Sequence, residues 1–252
     1  KPDRTVLLQL DLSKAFDMVS LDKLILDLNQ STLPSSVKRW FSCYLRGRQS
    51  KVHFRNSKSR FRNVRTGVPQ GAVTSPVLFN FHLRGLPIPP KGVYVVQYAD
   101  DISIYATGRD IPELAKMINA YADQVVDFLK ERELMVSAEK STVTLFTPDT
   151  KEYYFVPNVS LKGQPVRLEH KPKLLGVTFD TMHTFTPHVN ITVDKAKSKV
   201  NLMKAVAGST WGQDKEILVL TYKAIARSIL EYAVSIWSPI ISQTCWDRLQ
   251  VI

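Results

Sequence analysis

The apolar positions along this chain change period several times, and each change marks an element. Thr5 to Leu10 is a short β-rich apolar run that stops at Asp11 and predicts a buried strand. Ser20 stands at an N-cap position before Leu21, Leu24, Ile25 and Leu28, whose spacing predicts a helix. Pro34 opens a second helix with Val37, Trp40, Phe41 and Tyr44 on one side, and Gly47 stops it. Val52 to Arg65 alternates around Asn56-Ser57 and predicts a basic hairpin. The turn-rich loop Gly67 to Gly71 precedes an apolar helix that starts at Thr74 or Ser75 and runs to about Arg84, beyond which Pro87, Pro89 and Pro90 break it.

Val93 to Tyr98 and Ile102 to Ala106 predict two strands around a tight turn at Asp100-Asp101. Asp110 with Pro112 opens a long helix with an apolar face of Leu114, Met117, Ile118, Tyr121, Val125, Phe128 and Leu129. Val143 to Phe146, Tyr153 to Val156, Val159 to Leu161 and Leu174 to Phe179 have the texture of further strands. Beyond His188 the pattern turns helical. Val189 to Val206 is basic and amphipathic, and Asp214 begins a helix through Leu220, Ile225, Ile229 and Tyr232. The change from mixed α/β to helix places a domain boundary near Pro187, dividing residues 1–186 from 187–252.

Composition adds a partner class to this outline. The formal charge is +11, and it is unevenly spread. No Asp or Glu occurs from Leu28 to Ala99, a stretch that carries Lys38, Arg39, Arg46, Arg48, Lys51, Arg55, Lys58, Arg60, Arg62, Arg65, Arg84 and Lys91. A field of one sign fits a polyanion such as nucleic acid, and a solvated basic face has the same composition. Cys43 and Cys245 cannot form a disulfide framework, which suits a reducing compartment. The five histidines show no ligand spacing with each other or with cysteine. No apolar run reaches the roughly 20 residues of a membrane span, so no membrane partner is expected. The chain opens at Lys1, almost inside a strand, and both ends read as cut from something longer.

Three carboxylates carry the candidate chemistry. Asp11 ends a buried strand, and Asp100 and Asp101 share a turn between apolar strands. Adjacent acids repel, and desolvation disfavours their charged forms. A divalent cation removes that cost, and Mg²⁺ takes one or two carboxylates together with substrate phosphates. Two such ions about 4 Å apart clamp the attacking and leaving oxygens of a phosphoryl transfer. An Asp-Asp pair is equally at home in a solvated hairpin turn.

The motif string resolves that ambiguity. Leu10-Asp11-Leu12-Ser13-Lys14-Ala15-Phe16-Asp17 resembles the first palm motif of reverse transcriptases. Gly67-Val68-Pro69-Gln70-Gly71, continuing through Ser75-Pro76 and Leu78-Phe79-Asn80, resembles the second, and Tyr98-Ala99-Asp100-Asp101 resembles the catalytic acidic turn. Glu139-Lys140-Ser141-Thr142 resembles the fourth motif, and Lys173-Leu174-Leu175-Gly176-Val177 the primer-grip hairpin. Five motifs in order are specific where one is not. Trp211-Gly212, Tyr222-Lys223-Ala224-Ile225, Arg227-Ser228 and Leu230-Glu231-Tyr232 resemble the thumb of the non-LTR (LINE-like) branch. Group II intron and retron enzymes are the alternatives within the class.

The resemblance implies an α+β right-hand palm, an antiparallel sheet backed by helices with part of the fingers over residues 1–186, then a helical thumb over 187–252. It implies RNA-directed addition of dNTPs to a DNA primer on an RNA template, with two Mg²⁺ ions or Mn²⁺ in their place. By resemblance Asp11, Asp100 and Asp101 hold the metals, helped by the Leu12 carbonyl. Phe16 is the gate against a 2′-hydroxyl, and Gln70 and Gly71 border the nucleotide pocket. Lys140 lies near the triphosphate as a proton donor, and Leu174, Leu175 and Gly176 form the primer grip. Arg55, Lys58, Arg60, Arg62 and Arg65, with Lys195, Lys197 and Lys199, track template and primer phosphates. Trp40, Trp211 and Trp237 are expected as core or packing anchors rather than base-stacking platforms. The upstream fingers strands are expected to be absent, and an intracellular setting, a cytoplasmic ribonucleoprotein and the nucleus, is expected.

Three other readings stand beside this one. A decayed copy would bind RNA without chemistry. A basic α/β binding protein of unrelated fold would bind without needing Mg²⁺. RNA-dependent RNA polymerases share the acidic turn, but usually place a second Asp five residues after the first, where this chain has Phe16. Oligomeric state is open.

Overall fold

The computed structural model describes residues 2–208, 212 and 214–252, so Trp211 lies outside the described residues. The elements run β1 (Arg4–Leu12), α1 (Ala15–Met18), α2 (Leu21–Gln30), α3 (Ser35–Leu45), β2 (Gln49–Ser50), β3 (His53–Phe54), β4 (Ser57–Lys58), β5 (Arg62–Asn63) and α4 (Ser75–His82). They continue with β6 (Val93–Tyr98), β7 (Asp101–Gly108), α5 (Ile111–Glu131), β8 (Val136–Phe146), a 3₁₀ turn (Thr150–Glu152), β9 (Ser160–Leu161), β10 (Gln164–Pro165), β11 (Arg167–Leu168), β12 (Lys173–Leu174) and β13 (Val177–Thr178). The named elements beyond are helical: α6 (Thr186–Val206), α7 (Lys215–Tyr222), a π-turn (Lys223–Arg227), α8 (Ser228–Glu231), α9 (Val234–Trp237) and α10 (Gln243–Gln250).

Two compact units result, Lys1–Val143 with Val156–Leu168 and Thr144–Phe155 with Glu169–Ile252. The helical texture does begin at Thr186, as the pattern predicts. The units divide earlier in the chain because β12 and β13 pack with the helices that follow them: Val177 shares a core with Phe185, Val189, Val193, Trp237, Ile241 and Cys245.

The first unit is built on a sheet of order β11–β8–β1–β7–β6. β1 pairs antiparallel with β7, Arg4 opposite Gly108 and Leu10 opposite Ile102. β6 pairs antiparallel with β7 down to Tyr98 opposite Asp101. Alternating β-branched and leucine side chains bury Val6, Leu8, Leu10, Ile102 and Ile104 almost completely. Helix α5 covers the sheet with Ile118, Tyr121, Ala122 and Val125, and the Tyr121 hydroxyl donates to the Pro87 carbonyl at 2.7 Å. Its amphipathic face is the one the sequence spacing predicts.

Several expectations need correction. Tyr153 to Val156 is not a strand. Asp149 Oδ1 accepts the Lys151 amide at 3.0 Å and starts a 3₁₀ turn, and Tyr153 stacks on His170 at 4.5 Å. The strand expected over Val143 to Phe146 begins at Val136, because its first residues lie alongside β1. Leu174 to Phe179 is a hairpin rather than one strand. Trp40 is not a core anchor: it is 52% exposed and stacks on Tyr44 one helical turn away, at 5.1 Å. Trp237 is one, at 1% exposure. Among the described residues no helix is long and apolar enough to cross a membrane.

Candidate active site

The sheet register assembles the acids. Leu10 faces Ile102, so the next step of the ladder sets Asp11 opposite Asp101 on the same side of the sheet. Asp100 is the second residue of the two-residue turn closing β6 onto β7. Ala99, the first, has φ 52°, a left-handed conformation that a residue with a Cβ adopts at a cost. The electrostatics agree with the geometry: partial burial, then Asp100, then Asp11, raise the Asp101 carboxyl above its ordinary value. Asp11 is anchored from behind, its amide donating to Ser141 Oγ at 3.1 Å while that hydroxyl donates to the Ser137 carbonyl at 2.7 Å. Lys140, the residue before Ser141, is exposed on β8.

Among the described residues, no group of three or more His, Cys, Asp or Glu side chains stands ready to hold a metal ion. The donor set nonetheless suits a hard cation. Magnesium needs few protein carboxylates when phosphates and water complete its shell. The mutual repulsion written into the Asp101 shift is what a cation relieves.

Beside the acids lies a cavity of about 570 Å³, lined among others by Leu12, Phe16, Gln70, Gly71, Ser75 and Asp100. Residues from three separate motifs therefore meet around one space. Phe16 is fixed in its wall by stacking on the fully buried Phe79, with ring centroids 4.6 Å apart. The loop carrying Gln70 is tied to α1 by its backbone: the Gly67 amide donates to the Val19 carbonyl at 2.8 Å and the Val68 amide to the Phe16 carbonyl at 2.9 Å. Gln70 Nε2 donates to Asp17 Oδ1 at 2.8 Å. Arg48 donates to the Gly67 carbonyl and, through Nε, to the Leu45 carbonyl at 3.1 Å, and its burial lowers its pKa. Gly71, at φ 85°, has open space where a Cβ would stand, leaving its backbone approachable. Asp17 and Ser141, which the motifs contain but to which they gave no role, and Arg48, which lies outside them, are supports of the site.

The basic residues separate into distinct places. Lys58 and Arg62 are exposed on two short ladders, β3 with β4 and β2 with β5, and Arg55, Arg60 and Arg65 are exposed on the segments that join and follow them. Arg55 lies over Phe54 and Lys51 over Phe61, at 5.4 and 4.8 Å from the ring centroids. Lys195, Lys197 and Lys199 are all exposed on α6 but do not form one face. Lys195 lines a cavity with the β12–β13 hairpin, whereas Lys197 lines another with Arg248, as two-residue spacing on a helix requires. Leu174, Leu175 and Gly176 form the end of that hairpin, in the second unit.

Residues 1–179 match the model of the family described as reverse transcriptase (RNA-dependent DNA polymerase). The chain belongs to the reverse transcriptase family. Among its relatives is the probable RNA-directed DNA polymerase from transposon BS of Drosophila melanogaster, 27% identical over 250 residues, covering 96% of this chain and 27% of that protein. A second is its counterpart from transposon X-element of the same fly, 28% identical over 232 residues and covering 90% and 25%. A third is that of the mobile element jockey of Drosophila funebris, 24% identical over 250 residues and covering 96% and 27%. These mobile-element polymerases bear out the resemblance to the non-LTR branch. The chain spans about a quarter of the length of these relatives. A solved telomerase structure from Candida tropicalis, in complex with a fragment of telomeric RNA, aligns with a TM-score of 0.47 and 9% identity over 98% of this chain and 42% of that one. Enzymes of the family use divalent metal ions.

Proposed function

We propose that this chain is the palm, with part of the fingers, and the thumb of an RNA-directed DNA polymerase from a non-LTR retroelement. It adds dNTPs to the 3′-hydroxyl of a DNA primer on an RNA template, with palm over residues 1–186 and thumb over 187–252. The observation that carries this reading is the convergence of Asp11, Asp100 and Asp101 at one end of the β1–β7–β6 ladder, beside the cavity that holds Phe16, Gln70 and Gly71.

Asp11, Asp100 and Asp101 are the residues that would hold Mg²⁺, with the Leu12 carbonyl as a further oxygen ligand. Two bound Mg²⁺ ions, or Mn²⁺, supply a more acidic primer hydroxyl and neutralise charge on the triphosphate. The chain's own residues do the rest. The Phe16 ring, held by Phe79, closes the space a 2′-hydroxyl needs. Gln70, oriented by Asp17, and the open backbone at Gly71 border the base and sugar. Lys140 reaches the triphosphate and donates a proton to the departing pyrophosphate. The basic ladders from Arg55 to Arg65 and the lysines of α6 follow phosphates, a contribution that weakens with salt.

The test is primer extension on an RNA template in the full protein. Extension should require a divalent metal, stop with a chelator and resume when Mg²⁺ is restored. Extension indifferent to the chelator would overturn the reading, and RNA binding without extension under any metal is the behaviour of a decayed copy. The sugar gate has its own test. Phe16→Ala is expected to narrow the preference for dNTPs over rNTPs by about tenfold or more, since loss of a steric barrier costs discrimination rather than rate. An unchanged preference would remove Phe16 from that role.

A further inference from the structure

The β12–β13 hairpin ends in a turn whose two residues both lie in the left-handed region, Leu175 at φ 45° and Gly176 at φ 90°. That is the conformation of a tight two-residue hairpin turn, but Leu175 adopts it with a Cβ and therefore at a cost. Leu175 is about half exposed, so burial in a core does not hold this turn. The hairpin forms one wall of a cavity of about 440 Å³, shared with Lys195 and His188 of α6. Something else has to hold the strained conformation, and the helical segment supplies it from two sides.

Tyr232 holds the tip. Its hydroxyl donates to the Leu175 carbonyl at 2.6 Å, and its ring lies so close to Gly176 that an added Cβ would sit 3.1 Å from Cε1. His188 holds the strand: the Thr178 amide donates to its Nδ1 at 3.3 Å. Trp237 joins the two supports. Its indole Nε1 donates to the Tyr232 carbonyl at 3.0 Å, and its ring meets that of His188 edge-on at 5.6 Å. Burial, with Lys195 nearby, lowers the His188 pKa and favours the neutral ring whose Nδ1 can accept. Tyr232 itself is 54% exposed, so burying its ring does not account for its position.

We propose that Tyr232 is a positioning residue for the primer. It sets the backbone of Leu175 and Gly176, the groups that meet the primer, without touching the primer itself. This rests on the primer-grip reading of residues 174–176 given above. The hydroxyl bond is the sequence-specific part, because any large side chain could fill space but only a donor of this reach holds the Leu175 carbonyl.

Two variants separate the parts in the full protein. Tyr232→Phe keeps the ring against Gly176 and removes the donor, whereas Tyr232→Ala removes both. Loss of one neutral hydrogen bond is expected to raise the primer KM about 3- to 10-fold in Tyr232→Phe, and further in Tyr232→Ala. The turnover number and the dNTP KM should stay within about twofold in Tyr232→Phe. Amide hydrogen exchange over residues 173–178 should quicken in both variants. An unchanged primer KM in both variants overturns the proposal, as does a Tyr232→Phe enzyme whose turnover, dNTP KM and primer KM all worsen together. The underlying reading fails separately. If extension survives Asp100→Ala the polymerase assignment falls, while hydrogen exchange still reports whether Tyr232 holds the turn.

Discussion

Asp100→Ala should lower primer extension by about a thousandfold or more while changing primer–template binding by only a few fold. A loss of that size corresponds to roughly 4 kcal/mol of transition-state stabilisation, the scale expected when a group that holds catalytic metal is removed. Asp100 lines the cavity and adds to the charge acting on Asp101. It contributes no buried apolar surface, so the fold has little to lose. The sign of the stability effect follows from the Asp101 shift. A carboxyl whose folded pKa is raised above its unfolded value is destabilising where it is ionised, and the penalty fades as pH falls through the raised value. Removing Asp100 relieves part of that repulsion. The melting temperature should therefore hold or rise slightly as activity disappears. A variant that keeps activity within tenfold of the parent would dismiss the acidic turn as the metal site, and one that loses activity only by unfolding would leave the chemistry unassigned. The separation of the two effects makes this substitution more informative than Asp11→Ala, because Asp11 sits in a central strand.

Much of the frame was legible because it depends on local period. β1, β6, β7 and α5 each carry an uninterrupted pattern, and neighbours along the chain suffice to read it. The acidic turn was legible to within one residue: the turn expected at Asp100-Asp101 is formed by Ala99 and Asp100, and Asp101 already begins β7. What escaped depends on partners far away in sequence. Ser141 supports the Asp11 amide from 130 residues on, Gln70 finds Asp17 across 53, and Tyr232 reaches Leu175 across 57. No local pattern encodes such a pairing. Tyr153 to Val156 failed for the opposite reason. Its aromatic and β-branched residues favour a strand, but the Asp149 cap and the His170 stack define a turn. Trp40 was misread because a helical apolar face says nothing of what covers it. Lys195 and Lys199, four residues apart on α6, share a side, whereas the two-residue spacing of Lys197 sends it to another.

Gly67→Ala is expected to be the most damaging single methyl that can be added to the first unit. Gly67 sits at φ 83°, and an added Cβ would stand 2.8 Å from the Cα and carbonyl oxygen of Asp17 and 2.9 Å from the carbonyl oxygen of Phe16. All three are backbone atoms, so no side-chain rotation makes room. The left-handed conformation adds roughly 1–2 kcal/mol for a residue with a Cβ. Relief requires moving either the loop or α1, and both are committed. The loop is tied by the Gly67 amide to Val19, the Val68 amide to Phe16 and the Arg48 guanidinium to the Gly67 carbonyl. A loss of about 3 kcal/mol or more follows, in the range of strain at a special backbone position. The damage should reach function through position as well as stability, since displacing residue 67 moves Gln70 away from Asp17 and disturbs the wall that holds Phe16. At a temperature where the variant is still folded, its KM for dNTPs should rise about tenfold or more. Gly71→Ala is the control. It carries the same φ penalty but meets nothing within 4 Å, so its stability should fall by only about 1–2 kcal/mol. Any larger loss of nucleotide binding there marks space that the nucleotide itself occupies. Chemical denaturation of both variants decides the matter: equal midpoints would mean that the Gly67 loop yields freely, and that its close seat on Phe16 and Asp17 does not shape the pocket.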